Sequence, residues 1–225
     1  MRRLIFSIFL LVMLAALWIA TTAPAHAGAW PREKGRGFLA TATRAGFTDP
    51  AGPYAIYSTG YLEYGLGRGY TIGLDIGHAI SGRSKAVLFL RLPPFEPVPG
   101  HLLALEIGAG RIAGEQTLRP GLSYGHAIHG RRPGWFSIEG VFEYRPASAR
   151  RDFKADITLG INHGNRLKTI LQVQTGVSTG DPSFIRLAPS VVYRVSAKSH
   201  IEIGATAGLR GDSEYGLKLG FWREF

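Results

Sequence analysis

The sequence predicts an all-β fold: a single antiparallel transmembrane β-barrel of about twelve strands. Three observations predict it. From residue 37 onward, apolar and polar side chains alternate in short segments separated by Gly, Pro, Asn and Asp. That period of two belongs to strands with one oily and one polar face. After the first twenty residues no apolar run reaches the length of a membrane-spanning helix. The alternating segments are about nine to twelve residues long, enough at roughly 3.3 Å per residue and a tilt near 40° to cross an outer membrane. Spanning strands must close on themselves, because an open sheet would leave unpaired edge groups in lipid.

The chain of 225 residues opens with Arg2 and Arg3, an apolar run from Leu4 to Ala20, and small residues ending in Ala25-His26-Ala27. A basic start, an apolar middle and an A-x-A site predict a secretory signal peptide, residues 1–27, cleaved before Gly28. The apolar run is slightly long, so a retained N-terminal anchor is the lesser reading. The chain contains no Cys, which excludes lipoprotein anchoring and disulfide staples. Removing residues 1–27 takes away Arg2 and Arg3 and no acid, so the formal charge falls from +10 to +8. The remaining Lys and Arg are scattered, and an exported chain is not expected to meet nucleic acid. Arg150 and Arg151 read first as solvated loop residues, with lipopolysaccharide phosphates as the lesser candidate counter-charge.

Residues 28–36 read as a polar, periplasmic lead-in, and residues 37–225 as the barrel. The sequence leaves open whether Trp30 and Arg32 hang free or fold up into the bore. The strands fall at roughly 37–46, 54–65, 69–79, 84–92, 101–111, 117–127, 134–145, 152–161, 166–177, 184–195, 199–209 and 214–225. Turn chemistry separates them: Gly65-Leu66-Gly67-Arg68-Gly69, Asn162-His163-Gly164-Asn165, Thr179-Gly180-Asp181-Pro182 and Arg210-Gly211-Asp212-Ser213. Pro93, Pro94, Pro97 and Pro99 break the chain between the fourth and fifth strands. An even count puts both termini at one end.

The last strand runs Tyr215-Gly-Leu-Lys-Leu-Gly-Phe-Trp-Arg-Glu-Phe225. Tyr215, Leu217, Leu219, Phe221 and Phe225 share one face, with Arg223 the exception among them. This ending resembles the terminal strand of Gram-negative outer-membrane β-barrel proteins. The resemblance implies that Phe221 and Phe225 carry an assembly signal read by the barrel-assembly machinery. It also implies outer-membrane lipid and lipopolysaccharide as surroundings.

Alternation sorts the other strands too. Phe136, Ile138, Phe142 and Tyr144 oppose Ser137, Glu139, Glu143 and Arg145; Phe153, Ile157 and Leu159 oppose Lys154, Asp156 and Thr158. Setting Tyr144 across from Phe153 would set Glu143 across from Lys154 and satisfy both faces. Aromatics near strand ends, Gly on the polar face, and more strands than a dry core could fill place the oily face outward.

The polar face then supplies the lumen. Its charge candidates are Glu63, Asp75, Glu106, Arg119, Glu139, Glu143, Lys154, Asp156, Lys168, Arg186, Glu202 and Lys218. Acids predominate on the earlier strands and bases on the later ones, which predicts a field across the bore that filters polar solutes. The expected function is a narrow passive channel or transporter for small polar solutes. The alternatives are a non-conducting structural or lipid-interacting barrel and, third, a lipid-modifying enzyme. His78, His126, His129 and Ser123 lie near strand ends, but no G-x-S-x-G surrounds any Ser. His126, His129 and His163 lack the carboxylate partners of a metal site. No catalytic residue, metal or cofactor is therefore expected. The oligomeric state is not legible.

Overall fold

The computed structural model describes residues 28–48, 54–211 and 214–225. The expected signal peptide and the loop segments 49–53 and 212–213 lie outside the described residues. All regular elements among these are strands: β1 (Gly37–Phe47), β2 (Tyr54–Gly67), β3 (Tyr70–Ala79), β4 (Ser84–Arg91), β5 (Phe95–Val98), β6 (His101–Ile112), β7 (Glu115–Ile128), β8 (Gly134–Arg145), β9 (Arg150–His163), β10 (Leu167–Ser178), β11 (Phe184–Arg194), β12 (Ser199–Arg210) and β13 (Tyr215–Glu224). Each long strand pairs antiparallel with its chain neighbours, β4 pairs β6, and β1 pairs β13. The sheet is thus a closed barrel of twelve long strands with no free edge. At the seam, Gly37 and Phe225 exchange backbone hydrogen bonds of 2.8 and 3.0 Å.

β5 has no counterpart in the sequence reading. The proline-rich stretch folds back on the start of β6 through Phe95↔Leu103 and Val98↔His101. It is short, exposed and outside the ring, as proline-limited pairing requires.

The polarity is inverted relative to a soluble protein. Ile107, Ile203, Leu217 and Leu219 are each more than 60% exposed, whereas Glu63 and Glu143 are fully buried. Apolar side chains cover the outer wall and charged ones fill the inside. That is the arrangement of a barrel whose solvent is lipid. One patch departs from it. Thr41, Thr43 and Ser58 line a shallow groove of about 400 Å³ beside Ile201 and Phe221, with the Thr43 and Ser58 hydroxyls 3.0 Å apart.

The faces of β8 and β9 point as alternation predicts, but their register differs by two residues. Phe142, not Tyr144, lies across from Phe153, and Glu143 lies across from Asp152. A slip of two keeps every side chain on its face, so the pattern alone cannot distinguish the two registers. The turn decides. Arg145 pairs with Arg150 around a four-residue connection, in which Ala149 takes φ 53°. Lys154 still reaches Glu143 diagonally, at 2.6 Å. Arg145 engages Asp152, which separates the two facing acids.

Two hairpins turn within two residues, Arg68-Gly69 and Ala113-Gly114, with positive φ at all four positions. Such turns match the twist of the flanking strands but suit Asn and Gly. Ala113, at φ 50°, carries a Cβ penalty there. Ala113→Asn is expected to raise stability by about 0.5–1 kcal/mol, read as a higher urea midpoint for the protein folded in detergent.

Candidate functional site

The bore encloses a cavity of about 540 Å³ lined by side chains from every long strand. One half is filled by a chain of alternating charges. Arg32 donates from Nε to Glu63 Oε2 at 2.6 Å, and Arg91 Nη1 reaches Glu63 Oε1 at 2.5 Å. Arg91 and Arg119 then share Glu106, at 3.2 and 3.1 Å. Arg119 and Lys85 share Asp75, at 2.5 and 2.7 Å. The Tyr61 hydroxyl donates to Glu63 at 2.8 Å and accepts from Arg91 at 2.9 Å. The Phe89 ring lies beneath both guanidinium groups, 5.5 Å from Arg91 and 5.3 Å from Arg119. A Cβ on Gly73 would stand 2.1 Å from the Phe89 ring, so glycine is what admits the aromatic. Buried charges at such density are tolerable only when paired and hydrogen-bonded.

The remaining candidates are placed as follows. Lys154 pairs with Glu143 at 2.6 Å. Lys218 pairs with Glu202 at 2.8 Å, and Trp222 Nε1 donates to the same carboxylate at 3.1 Å. Arg186 lies 3.8 Å from Glu214, which Arg44 holds at 2.6 Å. Lys168 sits over the Trp135 ring at 5.9 Å. Glu139 and Asp156 face each other across β8 and β9. Neither carboxylate makes a hydrogen bond or ion pair among the described residues.

Arg91 and Lys85 are absent from the lumen charges expected from the sequence, Arg32 enters there only with the lead-in, and all three change the electrostatics. The acids of the early strands do not form a negative wall, because these three cations lie between them. The field across the bore expected from the sequence is therefore cancelled on that side. β4 reads Ser-Lys-Ala-Val-Leu-Phe-Leu-Arg, apolar on both faces, which hides its inner set. Lys85 and Arg91 do share parity with Val87 and Phe89, and that parity was the available signal.

The lead-in, read as periplasmic, turns up into the bore. Arg36 and Gly65 pair at the mouth, through Gly65 N–H to the Arg36 carbonyl at 2.9 Å. Lys34 bridges Gly65 in parallel. Arg32 accepts its place by donating its backbone N–H to Thr71 Oγ1 at 3.0 Å. Its guanidinium stacks 4.6 Å above Phe38. Trp30 covers Gly125, where a Cβ would meet the indole at 2.7 Å, and Ala29 is fully buried. The polar composition of residues 28–36 is what a polar bore accepts.

Ser123 faces the bore and is 4% exposed. His126 stacks on His101 at 4.3 Å, and His101 Nδ1 is 2.6 Å from the hydroxyl of Tyr124. Tyr124 also meets Phe136 edge-on at 6.1 Å, so the histidines belong to an aromatic cluster near the strand ends. Among the described residues no group of three or more His, Asp or Glu forms a metal-binding cluster.

No family model matches the chain, and no curated protein matches it. Among solved structures the barrel is similar to the NanC porin, with TM-score 0.64 and 9% identity over 81% of this chain and 98% of that one. It is similar to the KdgM porin solved in complex with disordered oligogalacturonate, with TM-score 0.61 and 7% identity over 83% and 99%. An outer membrane channel from Pseudomonas putida F1 gives TM-score 0.58 and 11% identity over 91% and 100%. At these identities the likeness is one of fold: a closed antiparallel barrel of this size.

Proposed function

We propose that the protein is an outer-membrane barrel that acts as a narrow passive channel for small polar solutes. The observation that carries this is the inverted polarity: an apolar outer wall around a cavity of about 540 Å³ in which ionisable, amide and hydroxyl side chains stand between apolar ones. Water and polar solutes are stable in such a bore and apolar ones are not. The porins and the channel that share the fold support the reading. It includes export with cleavage of residues 1–27, contact with outer-membrane lipid and lipopolysaccharide, and assembly through a machinery that reads Phe221 and Phe225. A second reading, a non-conducting barrel, is favoured by the ion network and the inserted lead-in, which fill one side of the bore.

Planar bilayers separate the two. Purified protein is expected to give small, resolved current steps. Arg186→Gln is expected to move the reversal potential toward cation preference, since it removes a positive charge from the wall. The absence of steps at every voltage, with or without the lead-in, would leave only the non-conducting reading.

A further inference from the structure

Glu139 and Asp156 are anomalous among the acids of the bore. Glu63, Asp75, Glu106, Glu143, Asp152 and Glu202 each hold a Lys or Arg side chain. Glu139 and Asp156 are cross-strand neighbours that line the cavity, and no ion pair satisfies either among the described residues. Ser137, two residues before Glu139 on the same inner face, is 1% exposed, and its hydroxyl has no partner among the described residues. Two adjacent carboxylates in a confined bore repel one another unless a cation joins them.

One group is already seated there. From the mouth at Arg36 the lead-in climbs inward and ends, among the described residues, at Gly28. A Cβ on Gly28 would stand 2.9 Å from Glu139 Oε1. Gly28 also takes φ +84°, a conformation that glycine tolerates best. While residues 1–27 remain attached, the nitrogen of Gly28 is a neutral amide. Hydrolysis of the Ala27–Gly28 bond adds water across it. Ala27 keeps a carboxylate, and Gly28 gains an amine, which takes up a proton near neutral pH.

We propose that Glu139 and Asp156 form a receptor for the α-ammonium of Gly28, so that removal of the signal peptide creates the cation that latches the lead-in inside the barrel. The other charges around Glu139 are Arg91 on β4, Glu63 on β2 and Glu106 on β6. Those around Asp156 are Lys218 on β13, Lys85 on β4, Lys154 on β9 and Asp75 on β3. Each of these cations is already held by another carboxylate: Arg91 by Glu63 and Glu106, Lys218 by Glu202, Lys85 by Asp75 and Lys154 by Glu143, which leaves the pair to the N-terminus. The proposal rests on cleavage before Gly28, and it holds whether or not the bore conducts.

The test uses the mature chain, folded in detergent, with its N-terminus confirmed by intact mass. It is treated briefly with an amine-acetylating ester near neutral pH, and modification of Gly28 is read by peptide mass mapping. The α-amine of the folded wild type is expected to react about tenfold more slowly than that of the denatured chain. Glu139→Gln combined with Asp156→Asn is expected to remove most of that protection while leaving acetylation of Lys198, at the barrel's end, unchanged. Should that double variant fail to fold, Gly28→Leu keeps every barrel residue and places a side chain where Glu139 stands, so it too is expected to lose protection. Equal reactivity of folded and denatured wild type would overturn the proposal. So would full protection in the variants, since burial alone would then shield the amine. An exported protein whose first residue is not Gly28 would also overturn it.

Discussion

Deletion of residues 28–36 is expected to raise single-channel conductance several-fold without opening the barrel wall. The segment occupies the half of the bore where the ion network already narrows it. Its hold is specific rather than extensive: Arg32 on Glu63 and Thr71, Trp30 against Gly125, and backbone pairing with Gly65 at the mouth. Each ordered residue costs about 1–2 kcal/mol of backbone freedom, so these contacts have to offset a substantial entropy. The seam does not depend on the segment, because Gly37 and Phe225 pair with each other and both remain. Glu63 also keeps Arg91 and Tyr61 after Arg32 is gone. A folded barrel with a wider water path is therefore expected. Trp30→Ala with Arg32→Ala should give an intermediate conductance and shorter closures. If the deletion and the wild type conduct alike in planar bilayers, the inserted segment does not limit the path and the constriction lies in the ion network.

The strands were legible because lipid outside and water inside impose one rule on every residue. Most of the long strands obey it; the exceptions are the Thr41, Thr43 and Ser58 patch, β4 with apolar side chains on both faces, and Arg223, which shares the outward face near the end of the barrel. The registers were less legible. A slip of two in β8 and β9 changes no face, so the choice falls to a four-residue turn whose geometry the sequence does not announce. The interior was legible by residue type but not by partner. Glu63, Asp75, Glu106 and Arg119 could be assigned to the bore individually. Their partners Arg91 and Lys85 sit on β4, where apolar side chains occupy both faces and parity carries little contrast. Arg32 comes from a segment with no periodicity at all. Partnership across a barrel depends on which strands curve toward each other, and that is a property of closure rather than of any local window.

Arg91→Met is expected to destabilise the folded barrel more than any single change at the mouth, by about 3–5 kcal/mol. Arg91 is 2% exposed and serves Glu63, Glu106 and Tyr61 together. Methionine nearly fills its volume, so packing against Phe89 survives and the loss is electrostatic. Glu63, with no solvent exposure, is left with the Tyr61 hydroxyl and with Arg32 as its one cation among the described residues, whose place depends on the lead-in staying inserted. The control is Arg150→Met, which breaks a pair with Asp181 whose side chains are 40% and 63% exposed. That change is expected to cost less than about 1 kcal/mol. Both are read as shifts of the denaturant midpoint at constant slope. A further variant identifies the cause. Glu63→Gln combined with Arg91→Met should cost less than the two single changes added together, because it removes the orphaned charge along with its partner. Strict additivity, or a midpoint shift for Arg91→Met no larger than that of Arg150→Met, would mean that lumen water solvates Glu63 and that the network does not hold the barrel's interior together.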